Sequence, residues 1–394
     1  MLLASRFRSV WTQRAFLWQV AGKFRLQPLV AGLTRRVFAR SPFPLPPVVI
    51  LQLTEACNLR CRMCYEWGRT GTQLQEGRGG PATLPLGLVE SLLDDCRPER
   101  TFYSLFGGEP LLYPGFEKML ERAKRNGSSM ETVTNGTLLA RNAAMLAELG
   151  MDLVRVSLDG PREVNDEQRG RGTTDRVMEG LEALYREKQR TGRTSPLLGV
   201  IYTVTRDNWH CLERLFCRDL DLRWIDFVTL QMQTFVTREM GLAYERILRR
   251  EFGCTGTATW RGMLRDPGEF GDLDLGELLR QARRVRSTLL RSGIPTLLFP
   301  NTWSEENLSM YLKANWTRMR DYKGHCIAPW VVTDVTARGE VAPCHIFYDL
   351  TVGNLGERGI REIWNGEAFN RFRRYMKGRL LPVCPACCQY YGYA

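Results

Sequence analysis

Between residues 48 and 235, short apolar runs alternate with stretches of helical periodicity. That alternation restricts the fold more than any other property of the chain. Val48–Leu53, Thr101–Phe106, a run ending at Glu131–Thr134, Leu153–Leu158, Leu198–Val204 and Trp224–Leu230 read as six strands. Helical stretches separate them: Leu88, Leu92 and Cys96 share a face with Thr83 as a potential cap, and another helix is expected near 115–125. Strand–helix alternation implies parallel strands joined by right-handed crossovers. The expected class is α/β, a partial (β/α)6 TIM-like barrel over 46–235.

The segments around this core read differently. Residues 1–54 carry eight Arg or Lys and no acidic residue, out of a net charge of +12 for the 394 residues. The rest of the chain is only mildly basic, so no nucleic-acid partner is expected. Phe7, Trp11, Ala15 and Trp18 recur at helical spacing among those basic residues. Three readings of 1–41 stay open: a helix on the domain surface, a membrane-surface helix making peripheral contact, or a transit peptide. A basic amphipathic segment over 1–45 therefore leads, through the Pro-rich run 41–47, into the barrel. Residues 236–320 read as a helical linker or substrate region. In it Leu275, Leu278, Leu279, Ala282, Val285 and Leu289 line one face of a helix over 274–292, stopped by Gly293 and Pro295. The Gly-rich stretch 68–80 reads as a mobile loop. No apolar run reaches the ~18 residues of a membrane span, so a cytoplasmic protein is expected, with association to a membrane surface as the variant.

The twelve cysteines are clustered. Cys57, Cys61 and Cys64 form a CxxxCxxC run directly after the first strand, and Cys326, Cys344, Cys384, Cys387 and Cys388 lie near the C-terminus. This favours metal or cluster ligation over disulfide scaffolding. Three thiolates on one loop can ligate three irons of a cubane and leave the fourth iron open. Zinc is the alternative and needs a fourth ligand nearby. Three further motifs follow strand ends, where parallel barrels gather their chemistry: Gly107-Gly108-Glu109-Pro110, Thr134-Asn135-Gly136-Thr137 and Ser157-Leu158-Asp159-Gly160.

The CxxxCxxC run followed by the aromatic Tyr65 resembles the signature of the radical S-adenosylmethionine (SAM) superfamily, and the resemblance covers residues 48–230. It implies a [4Fe-4S] cluster on Cys57, Cys61 and Cys64, with the amino and carboxylate groups of SAM on the open iron. Reductive cleavage of SAM then yields a 5′-deoxyadenosyl radical that abstracts hydrogen from substrate. The resemblance also implies that Gly107, Gly108, Glu109 and Pro110 bind the SAM amino group, and that Asn135, Ser157 and Asp159 lie near its ribose and carboxylate. Arg169 is a candidate carboxylate partner, with Thr203 and Asn208 as lesser candidates. A reducing partner of flavodoxin or ferredoxin type is implied as well.

The spacing Cys326, Gly339, Cys344 and the knuckle Cys384-Pro-Ala-Cys387 resemble the C-terminal extension called SPASM in its two-cluster form and twitch in its one-cluster form. A small α+β domain over 321–394 is therefore expected, with a hairpin turning at Arg338-Gly339. The resemblance implies one auxiliary [4Fe-4S] cluster on Cys326, Cys344, Cys384 and Cys387. Cys388 is an alternative to Cys387, and zinc an alternative to the cluster. His325 and His345 sit beside ligand cysteines and can act as outer-sphere donors. Cys254 is a candidate hydrogen donor to a substrate radical, with an inert buried thiol as the plainer reading.

The expected function is hydrogen abstraction from a small polar substrate, sugar- or cyclitol-like, for net oxidation or epimerisation. Gln231, Gln233 and the 236–320 segment are the expected substrate contacts. One alternative is a maturase acting on a peptide or protein. An alternative of another class is a non-catalytic iron–sulfur or zinc protein for electron transfer or scaffolding.

Overall fold

The computed structural model describes residues 41, 43–75, 79–256 and 259–393. The expectations for 1–41, including membrane contact, fall almost wholly outside them. One ten-stranded sheet organises the chain, in the order β10-β9-β8-β1-β2-β3-β4-β5-β6-β7. The strands are β1 (Val48–Gln52), β2 (Phe102–Phe106), β3 (Ser129–Thr134), β4 (Leu153–Ser157), β5 (Leu197–Val204), β6 (Phe227–Met232), β7 (Thr296–Phe299), β8 (Val332–Val335), β9 (Glu340–Ala342) and β10 (Gly353–Asn354). β1 to β7 pair in parallel in sequence order, and β8 pairs in parallel with β1 on the other side. β9 and β10 then add antiparallel. The sheet is therefore an open, partial barrel with further strands at its first edge.

Strand positions follow from burial on both faces. All five residues of β1 are buried, as a central parallel strand requires. The crossover helices are amphipathic. In Phe116–Arg125, Phe116, Met119, Leu120 and Ala123 are buried while the charged residues face outward. The helix Leu275–Arg291 begins at Asp274, whose carboxylate caps the Glu277 N–H, and it buries Leu278, Leu279, Ala282, Val285 and Leu289.

Four sequence expectations shift. Thr83 does not cap the helix Leu86–Asp95; its hydroxyl pairs with Thr54 at 2.9 Å in a short bridge. The sixth strand starts at Phe227, because Asp221 caps a turn over Leu222–Trp224. β7 extends the six expected parallel strands. It is four residues long, with three of them half-buried and Leu297 exposed, so it carries little apolar signal. The stretch 68–80 contains a one-turn helix, Thr72–Leu74, and Gly68 and Gly71 pack tightly. A Cβ on Gly68 would lie 2.3 Å from the Cys64 carbonyl oxygen. The expected hairpin is present as β8 and β9, with Gly339 at φ +79 in the turn.

Candidate active site

The loop after β1 wraps on itself. The Gly68 N–H donates to the Cys64 carbonyl at 2.9 Å, the Cys64 N–H to that of Cys61 at 3.1 Å, and the Trp67 indole N–H to that of Glu55 at 2.7 Å. This brings Cys57, Cys61 and Cys64 to one wall of a cavity of about 460 Å³ over the strand tips. Each sulfur meets an N–H group. The Leu59 amide points at Cys57 Sγ and the Trp67 amide at Cys64 Sγ, both at 3.4 Å. Arg169 Nη1 stands 3.9 Å from Cys61 Sγ, and Asn135 Nδ2 3.9 Å from Cys57 Sγ. Burial pushes the Cys57 thiol up to about 11 and Cys64 up to about 12, and it raises Cys61 as well. Thiols this desolvated stay protonated until a cationic metal takes them, and the N–H groups then stabilise the sulfur charge.

The Gly-Gly pair is pressed against this loop. Gly107 (φ +77) and Gly108 (φ +50) adopt a left-handed backbone, and a Cβ on Gly108 would sit 2.3 Å from the Ala56 carbonyl oxygen. Both line the cavity, as do Tyr65, Asn135, Ser157, Arg169, Thr203, Gln231 and Gln233. Glu109 and Pro110 are buried behind the wall. The Glu109 carboxylate accepts from Thr134 Oγ1 and the Asn135 N–H, each at 2.7 Å, and from the Leu111 N–H at 3.0 Å. It thus ties the β2 and β3 loops together, while burial raises its pKa.

Asp159 is also withdrawn. β4 ends at Ser157, which faces the cavity, whereas Asp159 is fully buried beneath Arg169. Arg169 reaches it with Nη2 at 2.6 Å and Nε at 2.7 Å, and the Thr203 N–H donates to it at 2.7 Å. Asn208 bonds the Asp159 and Thr203 carbonyls and holds the turn. Asp159 therefore aims Arg169 at Cys61.

Several wall residues carry no sequence motif. Glu66 accepts from Gln52 Nε2 at 2.6 Å and the Gly108 N–H at 2.9 Å. Lower in the barrel, Glu131 pairs with Arg155 at 2.9 Å and accepts from Ser104 at 2.8 Å. Met263, Arg265 and Phe299 also line the cavity. Only strand alternation around Glu131 and Arg155 hinted at an inward-facing polar pair.

The C-terminal segment contributes His345, Ile346, Cys388 and Gln389 to the cavity lining. Burial raises the pKa of Cys344 and of Cys384, and in both the neighbouring thiols raise it further: Cys384 and Cys326 for Cys344, Cys326 for Cys384. Cys387 shares a hydrogen bond with Cys388 that raises Cys387 and lowers Cys388, and Cys326 and Cys344 add to the rise at Cys387. Cys326, Cys344, Cys384 and Cys387 thus form one buried group. Cys388 turns toward His345, whose Nδ1 lies 2.8 Å from Asp334. Burial opposes a charge on His345, but Asp334 outweighs it and lifts the imidazole to about 10. His345 thus faces the cavity, whereas His325 contacts the Lys323 carbonyl at 2.8 Å. Cys254 lies away from the wall, half-buried, with burial and Asp349 raising its thiol. Among the described residues, no three Cys, His, Asp or Glu side chains converge as ligands of a single ion.

A partial barrel with three thiols of one loop over its strand tips defines an iron–sulfur enzyme. Residues 51–216 match the Radical SAM superfamily, and residues 326–388 match SPASM, an iron–sulfur cluster-binding domain. The chain belongs to the radical SAM superfamily and carries a C-terminal SPASM domain; its cofactors are SAM, the [4Fe-4S] cluster that binds it, and auxiliary iron–sulfur. It is 26% identical over 359 residues, 86% of each chain, to the tungsten-containing aldehyde ferredoxin oxidoreductase cofactor-modifying protein of Pyrococcus furiosus. It is 31% identical to the mycofactocin maturase MftC of Mycolicibacterium smegmatis, over 41% of this chain and 39% of that one. In fold it is similar to Streptococcus suis SuiB bound to precursor peptide SuiA, with TM-score 0.55 and 15% identity, over 82% of this chain and 66% of that one. Among the described residues no helix is long and apolar enough to cross a membrane.

Proposed function

We propose that this radical SAM enzyme is a maturase acting on a precursor peptide, with Cys57, Cys61 and Cys64 holding the SAM-binding cluster. When bound, that cluster supplies the electron that cleaves SAM to a hydrogen-abstracting radical. The protein's own groups do the rest. Asn135, Arg169 and the Leu59 and Trp67 amides surround the sulfurs with donors. Gly107 and Gly108 would let SAM approach the backbone, and Ser157 and Thr203, in the cavity wall, would contact its ribose and carboxylate. Asp159 and Glu109 act from behind the wall: the first orients Arg169, the second fixes the Asn135 loop. Tyr65, beside Cys64, packs the cluster loop. Cys326, Cys344, Cys384 and Cys387 hold one auxiliary cluster, and Cys388 stays outside that set. A flavodoxin- or ferredoxin-like protein supplies electrons.

The observation that carries this reading is one cavity lined by both the CxxxCxxC thiols and the SPASM segment. A substrate held there would meet both the cluster loop and the C-terminal segment. The peptide reading rests on the mycofactocin maturase likeness and on SuiB, a relative in fold solved with its precursor peptide. A cofactor molecule as substrate is the second reading, favoured by the 86% coverage of the Pyrococcus furiosus cofactor-modifying protein. Neither relative points to the sugar or cyclitol expected from sequence. Anaerobic reconstitution tests the site assignment: about eight irons per chain are expected, falling to about four in either Cys61→Ala or Cys344→Ser. Co-expression with candidate precursor peptides, followed by mass spectrometry, tests the substrate; an unchanged mass for every peptide counts against it.

A further inference from the structure

The cavity wall contains four arginine or histidine side chains, and three have acidic partners. Arg155 pairs with Glu131, Arg169 with Asp159 and His345 with Asp334. Arg265 differs. Its Nη1 donates to the Leu264 carbonyl at 2.6 Å and to Thr70 Oγ1 at 3.3 Å, and no carboxylate lies within ion-pair distance of it among the described residues. Glu269 acts on it electrostatically, yet that carboxylate accepts from the Asp266 N–H at 3.1 Å and closes a capping box. Arg69 adds a second positive charge nearby, on the exposed loop after the CxxxCxxC run. A partly buried guanidinium next to another cation is costly without an anion.

The backbone fixes Arg265 in place. A parallel bridge joins Val236 to Leu264 just beyond the end of β6, with the Arg265 N–H on the Val236 carbonyl at 3.1 Å. Arg265 thus lies in the cavity wall together with Thr229 and Gln231 of β6 and Gln233 just after it. On that wall the Thr229 hydroxyl is buried without a hydrogen-bond partner. A cation and an unsatisfied hydroxyl lining the same cavity mark a binding surface separate from the Arg169 and Asn135 groups around the sulfurs.

We infer that Arg265 receives a carboxylate of the substrate and so selects an acidic segment of the precursor peptide. The inference rests on the maturase reading and names its substrate chemistry. A charge-assisted bond to a carboxylate contributes about 1.5–3 kcal/mol, which corresponds to a preference of about tenfold or more.

The test uses cluster-loaded protein saturated with SAM and measures fluorescence anisotropy. The first probe pair is a dansylated hexapeptide with three glutamates and its glutamine counterpart. The second is coproporphyrin III and its tetramethyl ester. Wild type should prefer the glutamate peptide by about tenfold; Arg265→Ala should reduce the preference below about twofold, and Arg265→Lys should restore part of it. A preference confined to the porphyrin pair overturns the peptide source. Equal binding of charged and neutral probes, or a preference that survives Arg265→Ala, overturns the inference. Loss of SAM binding in Arg265→Ala also overturns it, since the arginine then serves SAM. 5′-Deoxyadenosine formation by wild type in the same preparation reports separately on the radical SAM reading.

Discussion

The two thiol groups are built in opposite ways. Cys57, Cys61 and Cys64 come from one loop whose own backbone bonds shape it, on strand tips held by the barrel. Cys326, Cys344, Cys384 and Cys387 come from three separate places: ahead of β8, after β9, and on the terminal knuckle. The first group is local, and the parallel sheet supports it without iron. The second joins distant parts of the chain, so a metal held there would close long loops and take part in folding. On the proposed assignment the first contributes three thiols and leaves room for SAM, whereas the second contributes four and would be closed, so that one would react and the other stay ligated.

The largest expected effect separates the two. Cys61→Ala should abolish 5′-deoxyadenosine formation while changing the melting temperature little. Cys344→Ser should halve the iron content and lower the melting temperature of the holoprotein by several degrees. Equal thermal shifts in a scanning fluorimetry comparison would remove the contrast. Next comes Gly108→Ala, which puts a Cβ 2.3 Å from the Ala56 carbonyl oxygen at φ +50. The cluster loop must then move, and SAM cleavage should fall at least tenfold with the auxiliary iron retained. Iron counts and 5′-deoxyadenosine assays read both effects.

Arg373→Met sharpens the comparison from the C-terminal side. Arg373 is fully buried, bonds the carbonyls of Pro329 and Trp364 at 2.8 and 2.7 Å, and stacks on the Trp364 and Phe369 rings; burial pulls its pKa down to about 9. Its loss strands two buried carbonyls, at about 1–3 kcal/mol each. Urea unfolding should show that loss, while the wild-type rate of SAM cleavage persists. The smallest effect is a pH dependence at His345. Its raised pKa means that its pairing with Asp334 stabilises fully below an unfolded value near 6.5, and that this stability is lost as pH rises toward about 10. The stability difference between the iron-free wild type and His345→Gln should therefore shrink between those limits. A difference that grows with pH would contradict the Asp334–His345 ion pair.

What could be read from the sequence divides along the same line. The cluster loop, the Gly-Gly pair and the first five strands carry local signals, namely cysteine spacing, glycines and apolar runs, and the structure places them together. Glu109 and Asp159 sit in motifs, yet the sequence does not tell whether a carboxylate faces the ligand or braces the wall, because burial is a tertiary property. Arg265, Cys388 and the Glu131–Arg155 pair carry no motif. They reach the cavity through a bridge beyond β6, a C-terminal turn and strand alternation, all of which depend on the assembled sheet. β7 stayed hidden because an edge strand of three half-buried residues and one exposed residue lacks the buried run of a central one.

In the proposed site the loop of Cys57, Cys61 and Cys64 presents a cluster with an open iron to SAM. Anaerobically reconstituted protein, reduced with dithionite in the presence of SAM, tests it directly. The account predicts 5′-deoxyadenosine from wild type and from Cys344→Ser, and none from Cys61→Ala. Intact SAM in the wild-type reaction, with the irons present, would contradict it.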